Sequence, residues 1–215
     1  MTYGCRMPDD LCVDNGGMKY GIDFILFRRQ DINESAMTRV FVAAELPEGV
    51  KQSLSAYEES LKRSDARLNL VDPDLSHITL KFIGEVDTVK LKKIEERLSE
   101  IKYSPYTMRL SRISFNNPRS PRVVWVNGSD GGRSARLAAM MEESLSELGI
   151  PKEERQFKIH VTLARIKEYH PSLMPIVKGL GDADVAEFEI NGFSLKKSLL
   201  TPKGPIYSDI MRVDF

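Results

Sequence analysis

The chain has 215 residues, of which 41% are hydrophobic, and its 31 Lys and Arg balance its 31 Asp and Glu. This length suits one domain or two closely packed lobes. The zero net charge gives no overall basic field that would draw the protein onto nucleic acid, so an anionic ligand must be held by local charge. No apolar run approaches the roughly 18 residues of a membrane span, and we expect a cytoplasmic protein without membrane contact.

The amino-terminal residues 1–36 lack the regular patterning of the rest of the chain. Their one apolar piece, Ile22–Phe27, is too short and too acidic at its front for a signal peptide. The two cysteines, Cys5 and Cys12, match no zinc or redox spacing and are interpreted as spare reduced thiols. We expect Met37 to be the natural start, or residues 1–36 to be a poorly ordered extension without catalytic duty. A short added strand or helix packed on the body is the alternative.

Residues 37–215 are assigned to one domain in which strand and helix patterns alternate. Seven segments have the alternating pattern of strands: Arg39–Leu46, Ser76–Ile83, Thr107–Phe115, Arg122–Asn127, Ile159–Ile166, Asp184–Lys197 and Pro205–Val213. Three segments have apolar residues at helical spacing: Pro47–Ser64, Asp87–Ile101 and Arg133–Leu148. Asp87 is expected to cap its helix, Gly84 to end the second strand, and Gly149 to end the third helix. The segment between the fifth and sixth strands is expected to be irregular. These elements predict an α+β fold of two small antiparallel sheets with helices on their outer faces.

A tetrapeptide repeats inside two of the predicted strands. The chain has three histidines, and two of them open the motifs His77-Ile78-Thr79-Leu80 and His160-Val161-Thr162-Leu163. A given histidine should meet Thr and Leu at this spacing about once in a few hundred times by chance. The repeat therefore indicates two similar halves that each contribute half of one site. The third histidine, His170, lies outside any repeat and is expected on a surface loop.

The strand period explains the spacing within the motif. Residues i and i+2 point to the same face of a sheet, which places His77 beside Thr79 and His160 beside Thr162. The residues between them should face the core: Ile78, Leu80, Phe82, Val161 and Leu163. A single motif of this kind would be explained more simply as a core histidine satisfied by a neighbouring threonine. The repetition argues against that simpler explanation.

These residues resemble a known family. Paired His-x-Thr motifs about eighty residues apart are similar to those of the 2H phosphoesterase superfamily, and most similar to its RNA 2′,3′-cyclic phosphodiesterase branch, historically called 2′-5′ RNA ligases. The resemblance covers residues 37–215 and is carried by five segments: Arg39–Ala43, His77–Glu85, Pro121–Trp125, Phe157–Arg165 and Gly204–Tyr207. The chain departs from the family at Leu70, where Trp is frequent, and at Ile159, where Pro is frequent. The resemblance implies two pseudo-symmetric lobes that form a central cleft, with one histidine strand on each wall.

The resemblance also implies a reaction. His77 would be the general acid that releases the 3′-oxygen and His160 the general base on water, giving a 2′-phosphomonoester. The residues agree with this, because two imidazoles near neutral pKa can supply an acid and a base at physiological pH. The hydroxyls of Thr79 and Thr162 can donate to phosphate oxygens. Which histidine has which role cannot be decided from the residues alone. The motifs contain no carboxylate, and we expect neither a metal nor a cofactor.

Several residues near the motifs are candidates for binding substrate. Arg122 matches a family position near the cleft and is expected to contact phosphate or nucleobase. Lys81 and Lys158 have the strand parity of their histidines, so either could reach a phosphate, although exposed lysines are equally well explained by solvation. Phe41, Phe82 and Tyr207 could stack on a base, although aromatic residues in strands more often belong to the core. Parity places Arg165 on the opposite face from His160, which predicts a structural ion pair.

Three functional classes remain open. The first is a phosphoesterase acting on RNA ends or small cyclic-phosphate nucleotides, as a monomer. The second is a 2′-5′ RNA ligase, which is the same reaction in reverse; the chain has no Gly-rich phosphate loop, which argues against ATP-driven ligation. The third is a non-catalytic nucleotide-binding module, which the intact histidines and threonines disfavour.

Overall fold

The computed structural model describes residues 37–202 and 204–215. The predicted extension, with Cys5 and Cys12, lies outside the described residues. The described chain forms nine strands: β1 (Thr38–Glu45), β2 (Arg67–Leu70), β3 (His77–Val86), β4 (Tyr106–Phe115), β5 (Val123–Ser129), β6 (His160–Glu168), β7 (Asp184–Ile190), β8 (Gly192–Thr201) and β9 (Gly204–Asp214). It also forms four α-helices and one 3₁₀ turn: α1 (Glu48–Leu61), α2 (Thr88–Ser99), α3 (Arg133–Ser146), α4 (Leu173–Gly179) and the turn Pro73–Leu75.

The strands form two antiparallel sheets. The first sheet has the order β3-β1-β8-β9, and the second has the order β2-β6-β5-β4-β7. All neighbouring strands pair antiparallel. The predicted α+β fold with two antiparallel sheets is confirmed, and each sheet contains one histidine strand, β3 or β6.

The helices are exchanged between the two sheets. Helix α1 follows β1 of the first sheet but packs against β6 and β7 of the second. Helix α3 follows β5 of the second sheet but packs against β3 of the first. The buried face of α1 includes Val50, Leu54 and Leu61, as the helical spacing predicts. Burying side chains of this size stabilises the fold by roughly 1.5–3 kcal/mol each.

Of two residues predicted to mark the ends of elements, the structure confirms only one. The carboxylate of Asp87 accepts a hydrogen bond from the backbone N–H of Lys90 at 2.7 Å, so the predicted cap of α2 is confirmed. Gly84 does not end its strand, because β3 continues to Val86. Gly84 has φ = 94°, a left-handed value that glycine adopts without a side-chain clash, so the strand passes through it.

Other predicted boundaries were wrong because two elements are short and because one alternating pattern continues across a break between two strands. The predicted strand Asp184–Lys197 is two strands, β7 and β8, which belong to different sheets. The alternation continues across Asn191, where the chain crosses from one sheet to the other, so periodicity alone does not locate the break. Helix α4 lies in the segment predicted to be irregular, and it is only seven residues long. Strand β2 was not predicted, since four residues carry little periodic signal.

Both histidine strands contain a β-bulge at the same point of the motif. Val42 pairs with Lys81 and Ala43 with Thr79, so Leu80 has no partner of its own. In the second sheet Leu163 has the same position, between Ala164 and Thr162. A bulge adds one residue to one strand and reverses the inside–outside alternation beyond it. The last residue of each His-x-Thr-Leu motif is therefore the bulged one.

The bulges explain why strand parity failed beyond the motifs. Phe82, predicted to face the core, is 66% exposed. Lys81, predicted to share the face of His77, is buried instead. Arg165 is exposed, and within the described part of the chain it forms no ion pair, so the predicted structural pair is not formed. A pattern of alternation cannot reveal an inserted residue whose effect depends on the partner strand.

Candidate active site

The structure brings the two motifs together where the sheets meet. His77 and His160 are the first residues of β3 and β6, and these two strands contact each other. The imidazoles are close enough that a positive charge on His160 lowers the pKa of His77. Both histidines and both motif threonines are half-buried. This is the meeting of two half-sites that the repeat predicts.

Each imidazole is held by the same backbone contact. Nδ1 of His77 lies 2.8 Å from the carbonyl oxygen of Leu75, and Nδ1 of His160 lies 2.9 Å from that of Lys158. A carbonyl can only accept a hydrogen bond, so each Nδ1 carries the proton and donates it. In the neutral rings this leaves the lone pair on Nε2. Both histidines are thereby fixed in the tautomer whose Nε2 is available for proton transfer.

Aromatic rings support both imidazoles. The ring centroid of Phe41 lies 4.9 Å from that of His77, and Tyr207 meets His77 edge-on at 5.4 Å. In the second sheet Trp125 lies 4.6 Å from His160, and its indole N–H donates to Ser114 Oγ at 3.1 Å. Such contacts restrict the orientation of the catalytic candidates through packing.

Two of the residues predicted to stack on a base, Phe41 and Tyr207, are among the aromatic rings that contact His77. Phe41 is 4% exposed, so its ring has little surface left to stack on a nucleobase, and its observed contact is with His77. This places Phe41 beneath the imidazole instead of in the substrate-binding surface. Tyr207 is half-buried beside the same imidazole, and Phe82 lies at the outer end of the cluster, 6.2 Å from Phe41.

The polar surroundings of the two histidines differ. The residue paired across the sheet with His77 is Glu45, whereas the residue paired with His160 is Asn127. Asn127 donates to the Arg112 carbonyl oxygen and to Ser114 Oγ. Glu45 forms an ion pair with Lys196. The first half-site therefore has charges where the second has only neutral hydrogen bonds.

The pKa of His77 is lowered from its ordinary value. Burial is the main cause, since it disfavours the imidazolium form, and the positive charges of Lys196 and His160 add to it. The hydrogen bond to the Leu75 carbonyl and the carboxylate of Glu45 act in the opposite direction. His77 is thus neutral over a wider pH range in the free protein than an exposed histidine would be.

A small pocket of about 90 Å³ opens beside His77. Its other lining residues are Glu45, Asp74, Leu75, Ser76, Lys196 and Tyr207. Among the described residues Ser76 Oγ has no hydrogen-bond partner although its side chain is buried. The pocket therefore presents charged and hydroxyl groups directly next to one of the two imidazoles.

The predicted cationic residues fall into two groups. Arg122 and Lys158 are exposed; Arg122 immediately precedes β5, and Lys158 contributes the carbonyl that holds His160. Their roles toward substrate stay predictions. Lys81 is 5% exposed, and its Nζ donates to Glu142 Oε2 at 2.8 Å and to the Pro151 carbonyl at 2.7 Å. Lys81 is therefore a structural link to α3 and does not reach a phosphate.

Residues outside the motifs complete the site. The sequence interpretation did not assign Trp125, Asn127, Glu45 or Lys196 to it. Glu45 and Asn127 are cross-strand partners of the histidines, and Trp125 and Lys196 reach the site from neighbouring strands. All four positions depend on a register that one strand does not reveal. A usable signal existed only for Trp125, which is the single tryptophan of the chain and lies in an alternating strand. His170, by contrast, is exposed and contacts Ser172, as expected of a surface residue.

Two further properties of the described residues concern metal ligands and membrane-spanning helices. No three His, Cys, Asp or Glu side chains within residues 37–202 and 204–215 are grouped as metal ligands would be. None of the described helices combines the length and the apolar character that a membrane span needs.

Two antiparallel sheets with one His-x-Thr strand in each define a two-histidine phosphoesterase fold. Residues 44–125 and 129–207 match the sequence model of the LigT-like phosphoesterases. The chain belongs to this family, which confirms the family and the enzyme class expected from the motifs.

Relatives and solved structures agree with this assignment. The chain is 38% identical over 173 residues to an RNA 2′,3′-cyclic phosphodiesterase of Archaeoglobus fulgidus, covering 80% of this chain and 97% of the relative. It is 35% identical over 164 residues to a protein of the same name from Aeropyrum pernix, covering 74% and 93%. The crystal structure of TT0787 of Thermus thermophilus has a TM-score of 0.72 at 28% identity, covering 82% of this chain and 97% of that one. The structure of E. coli LigT complexed with 3′-AMP has the same fold, with a TM-score of 0.71 at 23% identity over 83% of this chain and 98% of that one.

Proposed function

We propose that this protein hydrolyses the 2′,3′-cyclic phosphate ends of RNA to 2′-phosphomonoesters, with His77 and His160 as the acid–base pair. The observation that carries the proposal is the matching contact of the two imidazoles. Each Nδ1 donates to the carbonyl two residues earlier, and each Nε2 is left for proton transfer. Two imidazoles held in the same tautomer at one junction suit a reaction that needs one proton removed and one supplied.

The nature of the substrate is supported by the relatives. Several proteins that are 30–38% identical to this chain bear the name RNA 2′,3′-cyclic phosphodiesterase. E. coli LigT, which shares the fold, was crystallised with 3′-AMP, a nucleotide with phosphate at the ribose 3′-position. A cyclic phosphate at an RNA end presents the same ribose and phosphate groups. RNA ends and small cyclic nucleotides are therefore the substrates we assign to the junction between the sheets.

The proposed reaction has one bond made and one broken at phosphorus. A water oxygen attacks the cyclic phosphate while the base takes a proton from that water. The bond from phosphorus to the ribose 3′-oxygen breaks, and the acid gives its proton to that oxygen. The phosphate stays on the 2′-oxygen. Acid–base assistance of this kind commonly contributes roughly 10²–10⁴-fold to the rate.

The motif threonines are assigned to the phosphate oxygens. Thr79 and Thr162 are two residues along the strand from their histidines and on the same side, before the bulge. Both threonines are half-buried, so their hydroxyls can donate to a ligand. A donor placed where negative charge increases stabilises the transition state. Arg122, Lys158 and Tyr207 are the further residues that we assign to substrate binding.

The roles of the two histidines depend on how the substrate changes their pKa values. Burial lowers the pKa of His77 in the free protein, and a bound phosphodiester anion that raises this pKa favours His77 as the acid. If the anion raises it, the limb that belongs to His77 moves to higher pH between the profile of kcat/KM and that of kcat. The absence of such a shift would favour the exchanged assignment, with His77 as base.

The decisive assay uses a dinucleotide that ends in a 2′,3′-cyclic phosphate, with excess EDTA present. We expect turnover to a single product in which ³¹P NMR finds the phosphate on the 2′-oxygen. Because the proposed proton transfers use imidazoles, chelation should leave the rate unchanged. A 3′-phosphomonoester product would reverse the assigned leaving group. Activity that disappears in EDTA and returns with manganese or zinc would overturn the two-histidine mechanism.

A further inference from the structure

Three charged residues of the first sheet lie in contact with one another. None of them is among the site residues predicted from the sequence. Lys196 on β8 lies 2.6 Å from Glu45 Oε1 on β1 and 2.6 Å from Asp209 Oδ1 on β9. The Asp209 contact is a hydrogen bond, and the Glu45 contact is an ion pair. The Lys196 side chain is only 12% exposed. A largely buried lysine held between two carboxylates needs a reason beyond solubility.

The position of these three charged residues relative to His77 provides that reason. Glu45 is the cross-strand partner of His77, and both residues line the same small pocket with Lys196. Cross-strand partners lie side by side on the same face of a sheet, and the Glu45 carboxylate acts to raise the pKa of His77. The equivalent partner of His160 is Asn127, which carries no charge. The two half-sites therefore differ at the position paired with the histidine.

We propose that Glu45 is a positioning residue that stabilises the imidazolium form of His77, and that Lys196 limits this effect by neutralising Glu45. The inference rests on the proposed function only for its effect on turnover. Asp209 anchors Lys196 from the far side, so the ammonium group is shared between two carboxylates. Burial lowers the pKa of Lys196, but its contacts with Asp209 and Glu45 outweigh burial and raise that pKa overall, so Lys196 stays charged.

Other groups also act on His77, and the test must separate them. The charged and titratable groups that face His77 from the neighbouring elements are Glu45, Asp74, His160, Lys196 and Tyr207, and Asp209 contacts Lys196 behind them. Of these groups, Glu45 raises the pKa of His77, whereas Lys196 and His160 lower it. Removing Glu45 removes a charge that favours imidazolium. Removing Lys196 removes a charge that opposes imidazolium and also leaves Glu45 unpaired beside the ring.

The experiment follows the ring protons of the full chain by NMR as the pH is changed. The chain has three histidines, and the exposed His170 serves as an internal reference. We expect the midpoint of His77 to move to lower pH in E45Q and to higher pH in K196M, by about half a pH unit or more in each case. K196R, which keeps the cation, should restore the wild-type midpoint. K152M removes a lysine from the exposed Lys152–Glu143 pair and should leave His77 unchanged.

Turnover of the cyclic dinucleotide gives the second readout. The limb of the pH profile that follows His77 should shift with the NMR midpoint, which changes the rate on that limb by roughly threefold to tenfold in opposite directions for the two variants. Midpoints that do not move, or that move in the same direction in E45Q and K196M, would overturn the inference. The titration requires no activity, so opposite shifts in an inactive protein would support the charge effect and contradict only the proposed reaction.

Discussion

The His77 half-site and the His160 half-site share a backbone design but differ in their electrostatics. Each histidine begins a strand, donates from Nδ1 to the carbonyl two residues earlier, and precedes a bulge at the motif leucine. Around His77 the structure adds a carboxylate, a lysine and a small pocket, whereas His160 lies against a tryptophan and a neutral amide. The shared design fixes the geometry of both imidazoles, while burial and charged neighbours change the proton affinity of His77. An acid and a base need comparable geometry but opposite protonation states at the start of the reaction.

The largest expected effect comes from removing either imidazole. His77→Ala and His160→Ala should each lower kcat on a cyclic phosphate dinucleotide by roughly a thousandfold or more, because an acid and a base act as a unit. The double variant should be little worse than either single one. His170→Ala is the matched control and should keep wild-type turnover. Near wild-type activity in His160→Ala would show that the second half-site takes no part in the chemistry.

The next effect comes from the threonines and tests whether the half-sites contribute equally. Thr79→Ala and Thr162→Ala should each lower kcat by about ten- to a thousandfold, as expected for loss of one donor to a phosphate oxygen. The conservative variants Thr79→Ser and Thr162→Ser keep the hydroxyl and should recover most of the activity. If the alanine and serine variants at one position lose the same activity, the hydroxyl at that position does not act on phosphate.

The two half-sites also differ four residues after each histidine, where Lys81 corresponds to Ala164. Replacing Lys81 with Ala leaves Glu142 without its lysine, and we expect unfolding in urea to become easier by roughly 3–5 kcal/mol, as for other broken buried pairs. The double variant K81A/E142A should recover part of that loss. Turnover per folded molecule should stay within about twofold of wild type, since Lys81 does not reach the site. A selective loss of kcat in stable K81A protein would return Lys81 to the phosphate-binding residues.

The sequence alone predicts features that follow a pattern along one strand or helix. It does not predict features that depend on how two strands pair. The His-x-Thr repeat, the two sheets and the faces of the longer helices depend on patterns along one strand or helix, so they could be predicted. Phe82 and Lys81 could not, because a bulge exists only relative to the neighbouring strand. Glu45 and Asn127 lie opposite their histidines through a register set by the whole sheet. Residues that are far apart in sequence and meet across strands leave no local signature.

The smallest expected effect concerns Glu58, a buried carboxylate on the helix that packs against the second sheet. Glu142 of α3 is paired with Lys81, whereas Glu58 of α1 is 6% exposed and, among the described residues, its Oε1 has no hydrogen-bond partner. Burial raises the pKa of Glu58 from 4.5 to about 7, and Asp72 and Glu59 add to this, while Lys62 opposes it. The native state thus binds this proton more tightly than the unfolded chain does. The stability it confers is complete below about pH 4.5 and is lost as the pH rises through about 7.

Glu58→Gln should therefore match the wild type near pH 5 and exceed it at pH 8.5 by up to about 3 kcal/mol in the free energy of unfolding. Urea titrations at the two pH values measure the difference. Glu59→Gln changes the exposed neighbour and should show little pH dependence. Equal stability of wild type and Glu58→Gln at both pH values would mean that the Glu58 carboxylate is hydrated in solution.

The exchange of helices between the sheets has a consequence for how the chain folds. Because α1 packs on the second sheet and α3 on the first, neither half of the sequence contains a complete hydrophobic core. Strand β1 can complete its pairing only after β8 has been synthesised, because Val42 of β1 pairs with Leu195 near the opposite end of the domain. Pairing between such distant segments slows folding and leaves the strand edges of early intermediates open to aggregation. During synthesis the nascent chain should therefore stay incompletely folded until the carboxyl-terminal hairpin leaves the ribosome.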